Sequence, residues 1–254
     1  MNNFDAVKVK EQLVEWIRNW FKENGDGCNA VIGLSGGCDS TVVAGLCKEA
    51  LGSDRVLSIA LPDEGQDEHG ANEIANFLGI NYKVINIGKT TKSVIDSIKD
   101  NMVLSNQTIQ NIPPRIRMTT LYAISQSNNG RVIGTDNASE SYLGYSTQWG
   151  DNVADCMPIL NLTKTEVIEV SLALGIPEKW VKKLPSDDLP LSQDDQSKFG
   201  FTYSELDDYI RNGIIPTGHC HNNENECLKI EKIEHMHKVN QFKMKPIASF
   251  EYKL

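Results

Sequence analysis

The chain has 254 residues, with 25 Lys and Arg against 34 Asp and Glu, so its formal charge is −9; hydrophobic residues make up 40% of it and charged residues 23%. That length suffices for one large α/β domain with a sizeable core. The acidic balance argues against a nucleic-acid coat or a basic membrane-surface protein, because such partners are gripped mainly by Lys and Arg. The N-terminal MNNFDAVKVKEQLVEW has no signal-like apolar segment, and no run approaches the roughly 20 apolar residues of a membrane helix. Six cysteines without a CxxC pair are too sparse for a disulfide scaffold and predict reduced thiols in the cytoplasm.

Along the chain, Leu13, Ile17, Trp20 and Phe21 are spaced for one face of a helix within residues 4–24, a stripe suited to a core or to an interface between copies. A regular alternation follows. Residues 29–34 read as a short apolar strand and 39–51 as a helix; 55–62 form a second strand, with a helix over 67–78 that stops at Gly79. Residues 82–87 make a third strand, with a helical stretch after Lys89. The Pro113-Pro114 pair predicts that the next helix starts at 115 and runs to 127. Residues 131–135 are the fourth strand. Strands of β-branched residues alternating with helices imply a parallel sheet covered on both faces.

Beyond 135 the pattern loosens. Residues 141–160 and 185–200 are rich in Ser, Asp, Gly and Pro and read as long loops, with helices at 163–174, 202–211 and 224–240. No repeat or low-complexity tract appears. A single domain over 1–254 is the simplest organisation: an N-terminal helix at 4–24, a nucleotide-binding core at 28–175, and a loop-and-helix part at 176–254.

The most informative stretch is Gly33-Leu34-Ser35-Gly36-Gly37-Cys38-Asp39-Ser40, between the first strand and the first helix of the alternation. Adjacent glycines let backbone N–H groups converge on an anion, and the following helix adds its positive end. Ser35 and Ser40 add hydroxyl donors, and Asp39 suits a phosphate that carries Mg²⁺. Gly88-Lys89-Thr90 is a decoy, since a Walker loop needs a glycine where Lys83 stands, and it reads as an ordinary helix start. GxGxxG spacing is also missing after the first strand.

SGGCDS resembles the SGGxDS loop of the N-type ATP pyrophosphatases, enzymes that activate a carboxyl or carbonyl oxygen by adenylation. Downstream segments resemble the NAD synthetases in particular. These are Asn111-Ile112 with Arg115-Ile116-Arg117-Met118, Gly134-Thr135-Asp136-Asn137 with Glu140, Gly144-Tyr145 through Gly150-Asp151 to Asp155, Leu162-Thr163-Lys164, Pro185-Ser186, and Thr202-Tyr203 with Asp207-Asp208-Tyr209. The resemblance implies a Rossmann-like, doubly wound α/β fold of the adenine nucleotide alpha hydrolase type, with helical C-terminal additions. It implies a ligase that joins deamido-NAD and ammonia at the expense of ATP, giving NAD, AMP and pyrophosphate.

By matched position, the resemblance assigns Gly33, Leu34, Ser35, Gly36, Gly37, Cys38, Asp39, Ser40, Thr135, Lys164 and Ser186 to ATP, with Ser35, Asp39 and Lys164 closest to the chemistry. Asp39 and Glu140 would hold Mg²⁺; Arg115, Gln148, Asp155 and Lys243 would meet deamido-NAD. Arg115 and Arg117 lie two apart on a helix and face different ways, so one of them serves structure, and Arg115 is the choice for substrate. The family forms a homodimer.

The sequence departs from the family at several points. Gln148 stands where the bacterial pattern has Lys, and Gln196 replaces a Glu while Asp195 remains. Near the C-terminus the family's His-Lys is matched by Phe242-Lys243, without the histidine. Residues 217–226 look like an insertion, and His219, Cys220, His221, Cys227, His235 and His237 are zinc-ligand types, yet their spacing favours a solvated loop. Two rivals remain: another adenylating member of the superfamily, and a nucleotide-binding module without catalysis. Missing CxxC pairs and acidic charge argue against tRNA thiolation. With the length taken up by the synthetase, ammonia is expected to be used directly or delivered by a separate chain.

Overall fold

The computed structural model describes residues 4–66, 69–181, 198–213, 224–250 and 252. Its centre is a four-stranded, all-parallel sheet of β1 (Asn29–Gly33), β2 (Val56–Ala60), β3 (Asn81–Val84) and β4 (Gly130–Ile133), in the order β3-β2-β1-β4. The chain winds outward from β1 to β3 and then returns to pair β4 on the other side of β1. The carboxyl end of β1 is therefore the point where the winding reverses, the usual crevice for a ligand in such sheets.

The pleat decides which core each strand residue joins. Ala30 and Ile32 of β1 point into the core covered by α1 (Ala6–Asn24), α2 (Cys38–Leu51) and α7 (Lys164–Ala173), while Val31 between them enters the core under α5 (Asn106–Ser127). On the α5 side, Val31, Ile59, Leu61 and Ile87 meet Ile116, Leu121 and Ile124. Two helices, α3 (His69–Leu78) and α4 (Gly88–Lys99), complete the crossovers around β3, so the Gly88-Lys89-Thr90 decoy is a helix start as its spacing required.

The stripe on α1 belongs to the core. Ile17 and Phe21 are each 1% exposed, and Leu13 and Trp20 pack against the same cluster. The chain starts this helix with Asp5, whose side chain accepts from the Lys8 N–H at 3.1 Å.

The predicted start of the fifth helix is corrected. α5 starts at Asn106 rather than 115, capped by the Ser105 hydroxyl, which accepts from Thr108 N at 3.1 Å, and Pro113 and Pro114 lie inside the helix. Neither proline donates to the carbonyl four residues back, a local penalty of about 3 kcal/mol for one proline. Burial offsets it: Ile112 and Pro113 are enclosed, and Pro114 lies tight against Gly150, where an added Cβ would stand 3.0 Å from the proline Cβ.

The predicted loop at 141–160 is mostly turns and bends. A short α6 (Ala138–Leu143) runs into it, capped by Asn137, and Ile133 bridges Cys156 beside β4. Gly134 permits that approach, since a Cβ there would meet Met157 Cγ at 2.7 Å and Ala154 Cβ at 2.9 Å. A further turn, α8 (Glu178–Val181), follows α7. Beyond it, α9 (Tyr203–Asn212) and α10 (Glu224–Asn240) pack with α6 around Leu143, Phe199, Phe201, Leu206 and Ile233. Most of the predicted loop at 185–200 lies outside the described residues.

Candidate active site

The Gly-rich turn leaves β1 and enters α2 in a form that its own hydroxyls hold. Gly36 adopts φ +84, a left-handed conformation that favours glycine. Ser35 Oγ accepts from Gly37 N at 3.2 Å and meets Ser40 Oγ at 3.1 Å, while Thr41 Oγ1 donates to Gly37 O at 2.6 Å. The helix that follows has Gly37 at its cap and, among the described residues, no side-chain cap bond. Its first N–H donors and the positive end of the helix dipole are what an anion docked at this turn would meet. Cys38, within the turn, is buried; burial and then the Asp39 carboxylate push its thiol up to about 12. It stays protonated at neutral pH and is not a nucleophile.

Three charged side chains converge beside this turn. Asp39 lies in the first turn of α2, Glu140 in the first turn of α6 and Lys164 at the start of α7. Lys164 Nζ is ion-paired with Asp39 Oδ2 and stands 3.9 Å from Glu140 Oε1. Burial alone would lower the pKa of that ammonium, but the two carboxylates hold it above the ordinary lysine range. Asn137 donates to Asp39 Oδ1 at 3.3 Å and also caps α6 by accepting from Ser139 N and Glu140 N, each at 3.0 Å.

Behind Lys164 lies a support that sequence reasoning missed. Ser139 Oγ donates to Asp207 Oδ1 at 2.5 Å and accepts from Lys164 N at 2.9 Å, and Asp207 Oδ2 accepts from Thr165 N at 2.8 Å. Asp207 thus ties α9 to the first turn of α7. The nearest signals in the sequence were the Ser inside the GTDN-x-S-E segment and the paired Asp before Tyr209. Asp136 is 7% exposed, with Oδ2 lacking a hydrogen-bond partner; burial, then the like charges of Glu140, Asp151 and Asp39, raise its pKa well above the ordinary carboxylate value.

The residues expected to meet the second substrate gather around residues 144–155. Arg115 Nε donates to the Gln148 carbonyl at 3.1 Å, and Nη1 donates to Asn111 O at 3.3 Å. Arg117 turns the other way, donating to Leu61 O at 3.0 Å and to Gln66 Oε1 at 2.8 Å, which is a structural engagement. Lys243 Nζ donates to Gly144 O at 3.0 Å and Ser146 O at 3.4 Å; burial lowers its pKa, opposed by Asp151. Asp155 accepts from the β4 amide of Val132 at 2.7 Å and from the Tyr122 hydroxyl at 3.3 Å. Thr135 stands two residues past the end of β4.

Ser186, Asp195 and Gln196 lie outside the described residues, as do His219, Cys220 and His221. Among the described residues no cluster of three or more His, Cys, Asp or Glu side chains suits a metal ion. His237 is engaged in packing, stacked on Tyr142 with ring centroids 4.0 Å apart.

The family profile described as NAD synthase matches residues 9–247. The chain belongs to the NAD synthase family. It is 37% identical over 246 residues to the NH(3)-dependent NAD(+) synthetase of Finegoldia magna, covering 95% of this chain and 96% of that one. Among solved structures, NMN synthetase from Francisella tularensis aligns with a TM-score of 0.86 at 30% identity, covering 98% of this chain and all of that one. The NH3-dependent NAD synthetase of Campylobacter jejuni aligns with a TM-score of 0.74 at 28% identity, over 97% of this chain and 99% of that one. The parallel α/β architecture of the NAD synthase family is thus the fold expected from the sequence, and no helix among the described residues is long and apolar enough to cross a membrane.

Proposed function

We propose that this chain, as one synthetase domain over 1–254, amidates the carboxylate of deamido-NAD with ammonia, using ATP and releasing AMP and pyrophosphate. The observation that carries this reading is the convergence of Asp39, Glu140 and Lys164 beside the uncapped first turn of α2, in a chain of this family.

A carboxylate resists ammonia because its leaving group would be an oxide. In the first step a carboxylate oxygen attacks the α-phosphorus of ATP, the bond to the β-phosphate bridging oxygen breaks, and pyrophosphate leaves. In the second step ammonia attacks the carbonyl, the bond to the AMP oxygen breaks, and a proton is lost from nitrogen. The work of the protein is to hold the reacting atoms in line and to neutralise charge on the departing pyrophosphate. Ser35, Ser40 and the backbone amides of residues 33–40 suit the phosphates, with Thr135 and Ser186 as further ATP contacts. Lys164 supplies a positive charge for the pyrophosphate oxygens. Arg115, Gln148, Asp155 and Lys243 orient the acid substrate, Arg115 through a fork suited to an anionic group.

Asp39 and Glu140 fit Mg²⁺ in kind: two hard oxygen donors that face one shared cation, as expected of a metal that keeps waters and phosphate oxygens for its other positions. When bound, that ion would neutralise charge on the triphosphate. A cytoplasmic home suits the buried free thiols of Cys28, Cys38, Cys47 and Cys156. A homodimer suits the exposed apolar residues Val84, Ile85, Val94, Met102 and Val103 on and after the β3 edge strand.

A second reading takes nicotinate mononucleotide as the acid. It is favoured by the higher TM-score to the Francisella protein, 0.86 against 0.74 for the Campylobacter one. Gln148 favours it too, since a mononucleotide carries one phosphate where deamido-NAD carries two, and a lost cation matters less. Incubating purified protein with ATP, Mg²⁺ and ammonium, and with either acid, separates the two when AMP and the amide are followed by mass. NAD only from deamido-NAD supports the first reading, turnover only of the mononucleotide supports the second, and no AMP with either overturns both.

A further inference from the structure

The two carboxylates proposed as the metal pair already share a cation. Lys164 Nζ pairs with Asp39 and lies 3.9 Å from Glu140, and its side chain is 6% exposed, less than the 17% and 20% of the acids. The backbone at this point is fixed, because Ser139 accepts from Lys164 N and Asp207 accepts from Thr165 N. The root of the side chain is thereby held, so any change of partner by the ammonium falls to the torsions of the four-carbon stem.

We propose that Lys164 is the resident counter-ion of Asp39 and Glu140 and makes divalent-metal binding conditional on nucleotide, an inference that rests on the reading of those two acids as metal ligands. Among the described residues, Asp39 and Glu140 both face the Lys164 ammonium. A bare dication entering the pair must sit against the ammonium in a space largely closed to water, where like charges repel more strongly than in solution. A triphosphate arriving with the dication changes the balance. Its anionic oxygens, docked at the uncapped start of α2, give the ammonium a new partner and leave the carboxylates to the metal. Metal and nucleotide therefore enter as a unit, and the nucleotide-free protein does not collect metal at this place.

Titrating the full chain with Mn²⁺, and following the free aquo-ion by electron paramagnetic resonance, tests this without turnover. Without nucleotide, the wild-type protein is expected to leave the free-ion signal undiminished. Lys164→Met is expected to take up a single equivalent, with affinity raised on the order of 100-fold, and Lys164→Arg to behave as wild type. With α,β-methylene-ATP present, wild type is expected to give a bound-manganese spectrum that Asp39→Asn alters. Uptake by nucleotide-free wild type that Asp39→Asn abolishes overturns the inference, and this arm needs no Lys164 variant to fold. A Lys164→Met protein that folds by circular dichroism yet gains no uptake overturns it as well. If Asp39→Asn and Glu140→Gln both leave the wild-type nucleotide-bound spectrum unaltered, the assignment of the metal pair falls and takes the inference with it.

Discussion

Asp136 sits where its charge is least welcome. Burial and the neighbouring acids raise its folded-state pKa above the unfolded value of about 3.9, so folding favours the protonated form. Its contribution to stability is complete below about pH 4 and is lost as pH rises through the folded-state value. Asp136→Asn is therefore expected to stabilise the metal-free protein by about 1–2 kcal/mol at pH 8 and by little at pH 4. Urea denaturation at the two pH values checks this, and an equal gain at both contradicts it. Asp39→Ala is expected to lower pyrophosphate release at least about 100-fold with the circular dichroism spectrum unchanged; full activity would remove Asp39 from the site. At this scale the sequence was informative about residue types: SGGCDS and GTDN-x-S-E pointed to Asp39 and Glu140, which meet at Lys164, and the two-residue spacing predicted that Arg115 and Arg117 face different ways. It was silent on Asp136 as an orphaned acid and on Asp207 as a support, because burial and partnership across 68 residues, as between Ser139 and Asp207, leave no local pattern.

At the scale of elements, one hydroxyl on α6 bonds both α7 and α9. Ser139→Ala removes a donor from the buried Asp207 and an acceptor from Lys164 N, which is expected to cost about 1–3 kcal/mol. Thermal unfolding should show a fall of several degrees, together with a reduced rate, since the root of Lys164 loses its anchor. Unchanged values of both would show the network to be idle. Alternation of apolar strands with helices predicted β1 to β4 and their flanking helices within a few residues, because burial on both faces writes a strong pattern. The start of α5 was misread for a physical reason. Proline rules describe a chain in isolation, whereas Pro113 and Pro114 lie against packed neighbours that make the local penalty tolerable. Residues 141–160 read as a loop, and the sequence left open how that loop is held, since its tethers run from Asp155, Asn152 and Lys243 to distant partners.

For the whole molecule, the exposed apolar residues between 84 and 103 lead to an expectation about assembly. Light scattering coupled to size exclusion should give about twice the 28.3 kDa chain mass, and Val103→Asp, at a position 99% exposed, should shift the protein toward monomer without unfolding it. A wild-type monomer at micromolar concentration would contradict the homodimer. The overall architecture was legible because parallel α/β chains announce their order of elements; which copies touch was not, because the stripe on α1 that offered itself for contact is consumed by the core.

The reversal of winding at β1 has a consequence for how such an enzyme diversifies. The turn that would grip pyrophosphate is rooted in an inner strand of the sheet whose Ala30, Val31 and Ile32 are buried. The ribbon from 144 to 155, which would read the acid, hangs from a handful of side-chain tethers. Selection acting on the ribbon can exchange one pyridine acid for another while the energy-coupling part stays untouched, so substrate preference and adenylating power are free to drift at different speeds.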